Sequence, residues 1–309
     1  MLSPLVFELS AFVVGLLFGS FLNVCISRLP LHESVVKPRS RCTRCRHEIR
    51  WYDNVPVVSW MVLRGRCRDC GAGIPWRYPL VEIAMGFWFL ATLSRWHLLA
   101  VMFTRFSAPT TGEYLDVVGF AILGFLLIGL MVMDWQTHTL PDAFTLTGIA
   151  IGLFTVCVQA VFLGPDEAAI HLDPSHSLRM SSPGSFVERG NVFLTGPEHL
   201  IFERVVAVLA AALFPFLIRT AYRAFRGHHG LGLGDVKLMA MIAAFMGFWG
   251  AMLSFFLGCL FIFPYAITLL ARKRADRATQ LPFGSFLAAG GLVTAVVGPP
   301  LIAWYKTFL

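Results

Sequence analysis

Eight apolar runs separated by polar stretches leave this chain few ways to fold. They lie near residues 4–26, 80–103, 115–133, 143–162, 201–222, 236–248, 250–271 and 283–307. Most have the roughly 20 residues that a helix needs to cross a bilayer. The apolar residues are continuous rather than alternating, which argues against the strands of a membrane barrel. Only 14% of residues are charged, against roughly 25% in a soluble domain. The expected fold is all-α, a polytopic membrane bundle of about eight transmembrane helices with a small polar insertion. The sixth segment is short, and its joint with the seventh at Trp249-Gly250 is the least clearly marked. No internal repeat is evident.

The organisation reads as a first helix (1–26), a polar module (27–79) and the remaining membrane helices (80–309), with a long insert at 164–200. The first run lacks a basic n-region and carries Glu8, so it reads as a retained helix rather than a signal peptide. Lys and Arg placement sets the orientation. The module holds ten arginines and Lys37, and is expected in the cytoplasm. Counting spans from there puts 134–142, 223–235 and 272–282 on the same side. The last two bring Arg223, Arg226, Arg272, Lys273, Arg274 and Arg277. The 164–200 insert and both termini fall outside. Positive charge so placed speaks for membrane orientation, and no nucleic-acid partner is expected.

Within the module, Cys42-x-x-Cys45 and Cys67-x-x-Cys70 have the spacing of a four-cysteine zinc site. Four thiolates close a tetrahedral shell, so the metal would be structural. Two disulfides are the alternative, disfavoured in a reducing cytosol. Trp51, Val55, Pro56, Val57, Trp60 and Ile74 are the expected small core, too small to fold without metal. Cys25, Cys157 and Cys259 read as buried apolar residues.

Two carboxylates mark the candidate chemistry. Asp134 ends the third run, and Asp235 follows two glycines in Gly232-Leu233-Gly234-Asp235. The topology places both at the cytoplasmic edge. An ionisable residue there is a functional candidate, although Asp also caps helices well. Two carboxylates sharing a proton can divide the roles of base and electrophile. Asp142, after Pro141, is read as a helix cap. Gly232, Gly234 and Gly284 are candidates to line a substrate cleft. Lys237 either joins that cleft or snorkels to the interface. Asn23 and Glu82 are read as helix contacts.

The ordered set of motifs resembles the type IV prepilin peptidases. It comprises Gly19-Ser20-Phe21-Leu22-Asn23-Val24, Arg28-Leu29-Pro30, the two cysteine pairs, Asp53-Asn54-Val55-Pro56-Val57, Arg77-Tyr78-Pro79-Leu80-Val81-Glu82, Asp134 through Leu140-Pro141-Asp142, Gly232-Leu233-Gly234-Asp235 and Pro282-Phe283-Gly284. The resemblance implies a G-x-G-D aspartyl peptidase of the bacterial inner membrane, with Asp134 and Asp235 catalytic. It implies prepilin or pseudopilin substrates of type IV pilus and type II secretion systems. Their basic leader would be cut after a glycine at the cytoplasmic face. It further implies S-adenosylmethionine-dependent methylation of the new N-terminus. No soluble-type S-adenosylmethionine loop is visible, so the cofactor-binding residues stay unknown. Two other readings compete. A transporter or channel would need polar residues at mid-membrane, and these are scarce. A non-enzymatic assembly protein would leave the aspartates without a role.

Overall fold

The computed structural model describes residues 4–103, 111–162, 197–226, 231–272 and 281–306. Most of the 164–200 insert lies outside them. The chain runs through α1 (Pro4–Arg28), α2 (Val58–Val62), α3 (Arg77–Phe103), α4 (Thr111–Thr137), α5 (Asp142–Phe162), α6 (Pro197–Arg226), α7 (Leu233–Ala271) and α8 (Phe283–Lys306). Among the described residues, α1, α4, α5, α6 and α7 are long and apolar enough to cross a membrane. The chain is a multi-pass membrane protein. The third expected span runs on past Asp134 to Thr137, and the fifth begins at Pro197.

α7 has 39 residues, about 58 Å if straight at ~1.5 Å per residue. That is roughly twice the hydrocarbon thickness. It is folded instead. Gly247 has φ 73 and ψ −178, a conformation that only glycine adopts readily. Residues 233–246 run beside α8 in the same sense, because Leu140 touches both Gly234 and Gly284, and Ile242 lies against Gly291. Residues 248–271 run the opposite way, with Gly258 against Leu287 and Gly290 against Ser254. A Cβ at Gly290 would fall 2.4 Å from the Ser254 carbonyl oxygen, so the two helices touch backbone to backbone. Tyr265 then returns to Trp135 and Phe286, at the start of α8. The sixth and seventh expected segments are thus the limbs of one hairpin. Its turn falls two residues before the Trp249-Gly250 joint.

A helix that ends inside a bilayer leaves carbonyl groups without partners. Arg204 of α6 supplies them. Its Nη1 donates to the Phe245 carbonyl at 2.7 Å and to that of Ala244 at 3.4 Å. The first limb of α7 is fully buried at Leu238, Met239, Met241 and Ile242, against Leu127 and Leu130 of α4 and Leu287 of α8.

The polar module is built from two copies of one small unit, which corrects the expectation of no repeat. Arg46 N–H reaches the Cys42 carbonyl, and Gly71 N–H reaches that of Cys67. Cys42 N–H pairs with His47, and Cys67 N–H with Ala72. Ile49 closes on Ser40, and Ile74 on Gly65. The register is 25 residues, matching Arg41 with Arg66, Cys42 with Cys67, Cys45 with Cys70, Ile49 with Ile74 and Trp51 with Trp76. Arg68 Nε and Nη2 grip both oxygens of Asp53, the closest contact being 2.6 Å. That ion-paired hydrogen bond holds the Asp53 carboxyl below its usual range. Pro56 is buried, but Trp51 and Val55 are exposed, contrary to the core expected of them. So short a unit cannot cover both tryptophans; Trp60 packs instead on Trp76 at 4.0 Å.

The module is anchored on the bundle. Val57 N–H donates to Glu82 Oε2 of α3 at 2.8 Å. Asn23 Nδ2 donates to the Tyr78 carbonyl at 3.0 Å. Both contacts join elements, as read from the sequence.

Replacing Gly247 with alanine imposes a conformation that costs about 1–3 kcal/mol. The variant is expected to melt earlier than wild type in detergent. An unchanged melting temperature would count against the turn.

Candidate active site

Asp134 sits one turn before the end of α4, and its carboxylate meets the start of α8. Ser285 donates to Asp134 Oδ2 twice, through its N–H at 2.6 Å and its hydroxyl at 3.0 Å. The hydroxyl also reaches the Met131 carbonyl. The first N–H groups of a helix are unpaired and carry positive partial charge, so they suit a carboxylate. Asp235 lies in the first turn of α7 and accepts the Gly232 N–H on Oδ2 at 3.0 Å. It is therefore the third helical residue folding back on the cap, and Gly232 is the cap itself, not Asp235. The two side chains are 6% and 7% exposed and close enough to interact through space.

What brings them together is Leu140. It lies 3.0 Å from where a Cβ would stand on Gly234 and 2.9 Å from the equivalent point on Gly284. A Cβ at Gly284 would also fall 3.0 Å from the Asp134 carboxyl carbon. Gly234 and Gly284 thus make room for Leu140 and for Asp134 itself. The starts of α7 and α8 close on one leucine, α7 carrying Asp235 and α8 receiving the carboxylate of Asp134 from α4.

Asp142 is the first residue of α5 and does not act as its cap. Its Oδ1 accepts from Lys237 Nζ at 2.6 Å. This pair ties the start of α5 to the start of α7, two residues from Asp235, so Lys237 is neither free nor simply snorkelling. Ser285 is not singled out by the sequence, and Leu140 only as a member of Leu140-Pro141-Asp142. Leu140 had a signal, standing beside Pro141-Asp142; an ordinary serine after Phe283-Gly284 had none.

The four module cysteines converge. Their sulfurs all lie within 4.8 Å of one another, and Cys42 and Cys70 are 3.7 Å apart. Zinc–sulfur bonds of about 2.3 Å in a tetrahedron place sulfurs roughly 3.8 Å apart, so the set fits zinc. All seven cysteines are free. Backbone N–H groups of Cys45 and Arg44 pull the Cys42 thiol down to about 6, while its neighbour Cys45 is pushed up to about 12.

Two sequence families match the chain: the Bacterial Peptidase A24 N-terminal domain over residues 13–96 and the Type IV leader peptidase family over residues 190–267. A prepilin leader peptidase/N-methyltransferase of Burkholderia pseudomallei (strain 1026b) is 31% identical over 94% of this chain and 85% of its own length. The chain belongs to the type IV leader peptidase family. Another member with the same name, from Stutzerimonas stutzeri, is 29% identical over 99% of this chain and 96% of its own length. A third, from Myxococcus xanthus, reaches 42% over 48% of this chain and 39% of its own. No solved structure matches. The leader-peptidase match takes in Asp235 and most of the hairpin, and the N-terminal match takes in most of α1 and the cysteine module. Asp134 lies between the two.

The Asp142–Lys237 pair is partly exposed on both sides, and such pairs contribute at most about 1 kcal/mol. Asp142→Asn is expected to lower thermal stability by no more than that. A larger loss on thermal melting would mean the pair carries the α5–α7 contact.

Proposed function

We propose that this leader peptidase is an aspartyl endopeptidase that removes the basic leader of prepilins or pseudopilins, cutting after a glycine. One observation carries the reading: Asp134, at the end of α4, and Asp235, at the start of α7, meet where the starts of α7 and α8 close on Leu140, and both are buried and within electrostatic reach of each other.

Two adjacent carboxylates do not both ionise cheaply, so the pair holds one proton between them. The ionised member takes a proton from water as it attacks the scissile carbonyl. The protonated member donates to the carbonyl oxygen, and the proton then returns to the leaving amine. Each carboxylate is fixed through its Oδ2 by Ser285 or Gly232, which leaves the Oδ1 atoms for this exchange. The cleft-lining role expected of Gly232, Gly234 and Gly284 becomes a positioning role. Lys237 braces the same edge through Asp142.

The module side of the bundle is the cytoplasmic side in this reading, so a basic leader and an apolar pilin helix meet the aspartates at the inner interface. Residues 27–79 form a zinc module whose metal is structural, held by Cys42, Cys45, Cys67 and Cys70. Residues 80–309 carry the peptidase. The family relatives' N-methyltransferase name extends here to methylation of the new N-terminus, for which S-adenosylmethionine supplies an electrophilic methyl group.

Cleavage of a prepilin-type substrate by the full-length protein in detergent tests the aspartates. Asp134→Asn and Asp235→Asn are each expected to fold and to lose cleavage by at least about a thousandfold, the loss of a general base together with its partner. Wild-type cutting by either variant would remove that residue from the chemistry. Elemental analysis of the purified protein is expected to find one zinc per chain. Stripping it with a strong chelator should unfold the module. A metal-free protein with full protease resistance at residues 40–75 would contradict the zinc assignment.

A further inference from the structure

One stretch of the cysteine module is unlike the surface of a domain in water. The thirteen residues from Trp51 to Leu63 hold a single charge, Asp53, and Arg68 pairs with it. Arg50 and Arg64 bracket the stretch. Its apolar side chains face outward. Val58, Met61 and Val62 share one face of α2 and are 55%, 65% and 70% exposed, whereas Ser59 is buried. Trp51 and Val55 are exposed as well. Apolar residues left open together in this way mark a contact surface.

The helices beside it show where the stretch sits. Val57 N–H donates to Glu82 Oε2 of α3, and Glu82 is level with Gly19 of α1, where an added Cβ would fall 2.6 Å from the Glu82 Cα. From Gly19 toward the module, the first charge on α1 is Arg28, nine residues on, or roughly 13 Å of helix. Asn54 and Pro56 lie against the same part of α1. With Leu17, Ser20, Phe21 and Val24 they wall a groove of about 230 Å³. Leu17 and Phe21 are exposed on a helix that is apolar enough to span the membrane, so lipid covers them, and the outward face of the stretch continues that surface. Irregular backbone is tolerated at such depth only where its polar groups are satisfied within the protein. Val55 N–H donates to Ser59 Oγ, Ser59 N–H to the Val55 carbonyl, Met61 N–H to the Val57 carbonyl and Leu63 N–H to the Ser59 carbonyl, all at 2.9–3.1 Å. Val57 is β-branched yet sits at φ 60, ψ −50, a strained conformation in which its N–H meets Glu82. Glu82 thus serves this loop as Arg204 serves the break in α7.

We infer that residues 51–63 are inserted into the lipid leaflet on the module's side, with Val55, Val58, Met61 and Val62 among the acyl chains. Arg50 and Arg64 then lie at the phosphates, and Trp51 at the headgroup level where aromatic side chains collect. Arginines in that position favour an anionic leaflet. The module is wedged into the membrane beside α1 instead of standing clear of it in water. A protein occupant, whether a prepilin helix or a second copy of this chain, would have to displace the lipid that already covers Leu17 and Phe21.

The test places the full-length protein, a single chain per disc, in lipid nanodiscs of phosphatidylcholine and phosphatidylglycerol. Hydroxyl radicals made in the water then oxidise what water reaches, and mass spectrometry reads the positions. Met61 is largely uncovered by the protein itself, so its protection reports lipid. It is expected to oxidise at least about tenfold more slowly than the side chain of Glu48→Met, as burial of one such side chain implies. Glu48 is an exposed module position outside the stretch. Phosphatidylglycerol carrying a photoreactive diazirine in its acyl chain is expected to label peptides within residues 54–63. Oxidation of Met61 as fast as that of Glu48→Met overturns the inference, and so does lipid label that reaches α1 but not 54–63. Met61 protected only after a prepilin or a second copy is supplied also overturns it, and assigns the surface to that protein.

Discussion

The bundle depends on one broken helix. Without the turn at Gly247, α7 would cross the membrane once, and the chain would return to α8 from the far side. With it, α7 comes back to the side from which it entered, and α8 starts beside the start of α7. A break at that depth is tolerable only if the exposed carbonyls find donors. Arg204 provides them from α6. A charged residue inside an apolar run is thus explained by a backbone need rather than by transport.

The carboxylates follow from the same constraint. Asp134 comes from a helix end and Asp235 from a helix start. Ser285, at a second helix start, completes the arrangement. Residues about 100 or 150 positions apart meet because three helix termini share one edge of the bundle. The cysteine module meets the bundle on this same side, bound through Val57 and Glu82. The two parts of the protein are therefore joined at the level where the aspartates lie.

Much of this was legible in the sequence for physical reasons. Spans of twenty apolar residues cannot hide, and paired Cys-x-x-Cys motifs announce four thiolates that must share a ligand or a bond. Even the short sixth segment was visible as a separate run. The turn itself was placed two residues late, because Trp249-Gly250 and Gly247 look equally suitable until a φ angle is known. Ser285 was missed because its role is made by a helix start beside a distant aspartate, not by its neighbours in sequence. Asp142 was read as a cap since Pro141 precedes it; its carboxylate turns instead to Lys237, 95 residues away. The module's duplication was in plain sight at a register of 25 residues. Only six identities mark it, Arg39 with Arg64 being the sixth, and the matching hydrogen bonds make it plain.

Leu140 has a consequence beyond its place in the core. A single apolar side chain sits against the starts of both α7 and α8, so it acts as a spacer between the helix that carries Asp235 and the helix whose Ser285 holds Asp134. If the two aspartates activate water as proposed, the size and shape of that side chain set the gap across which it is held. In such a design the tuning of the chemistry is steric: a residue with no proton to give fixes how far a proton has to travel.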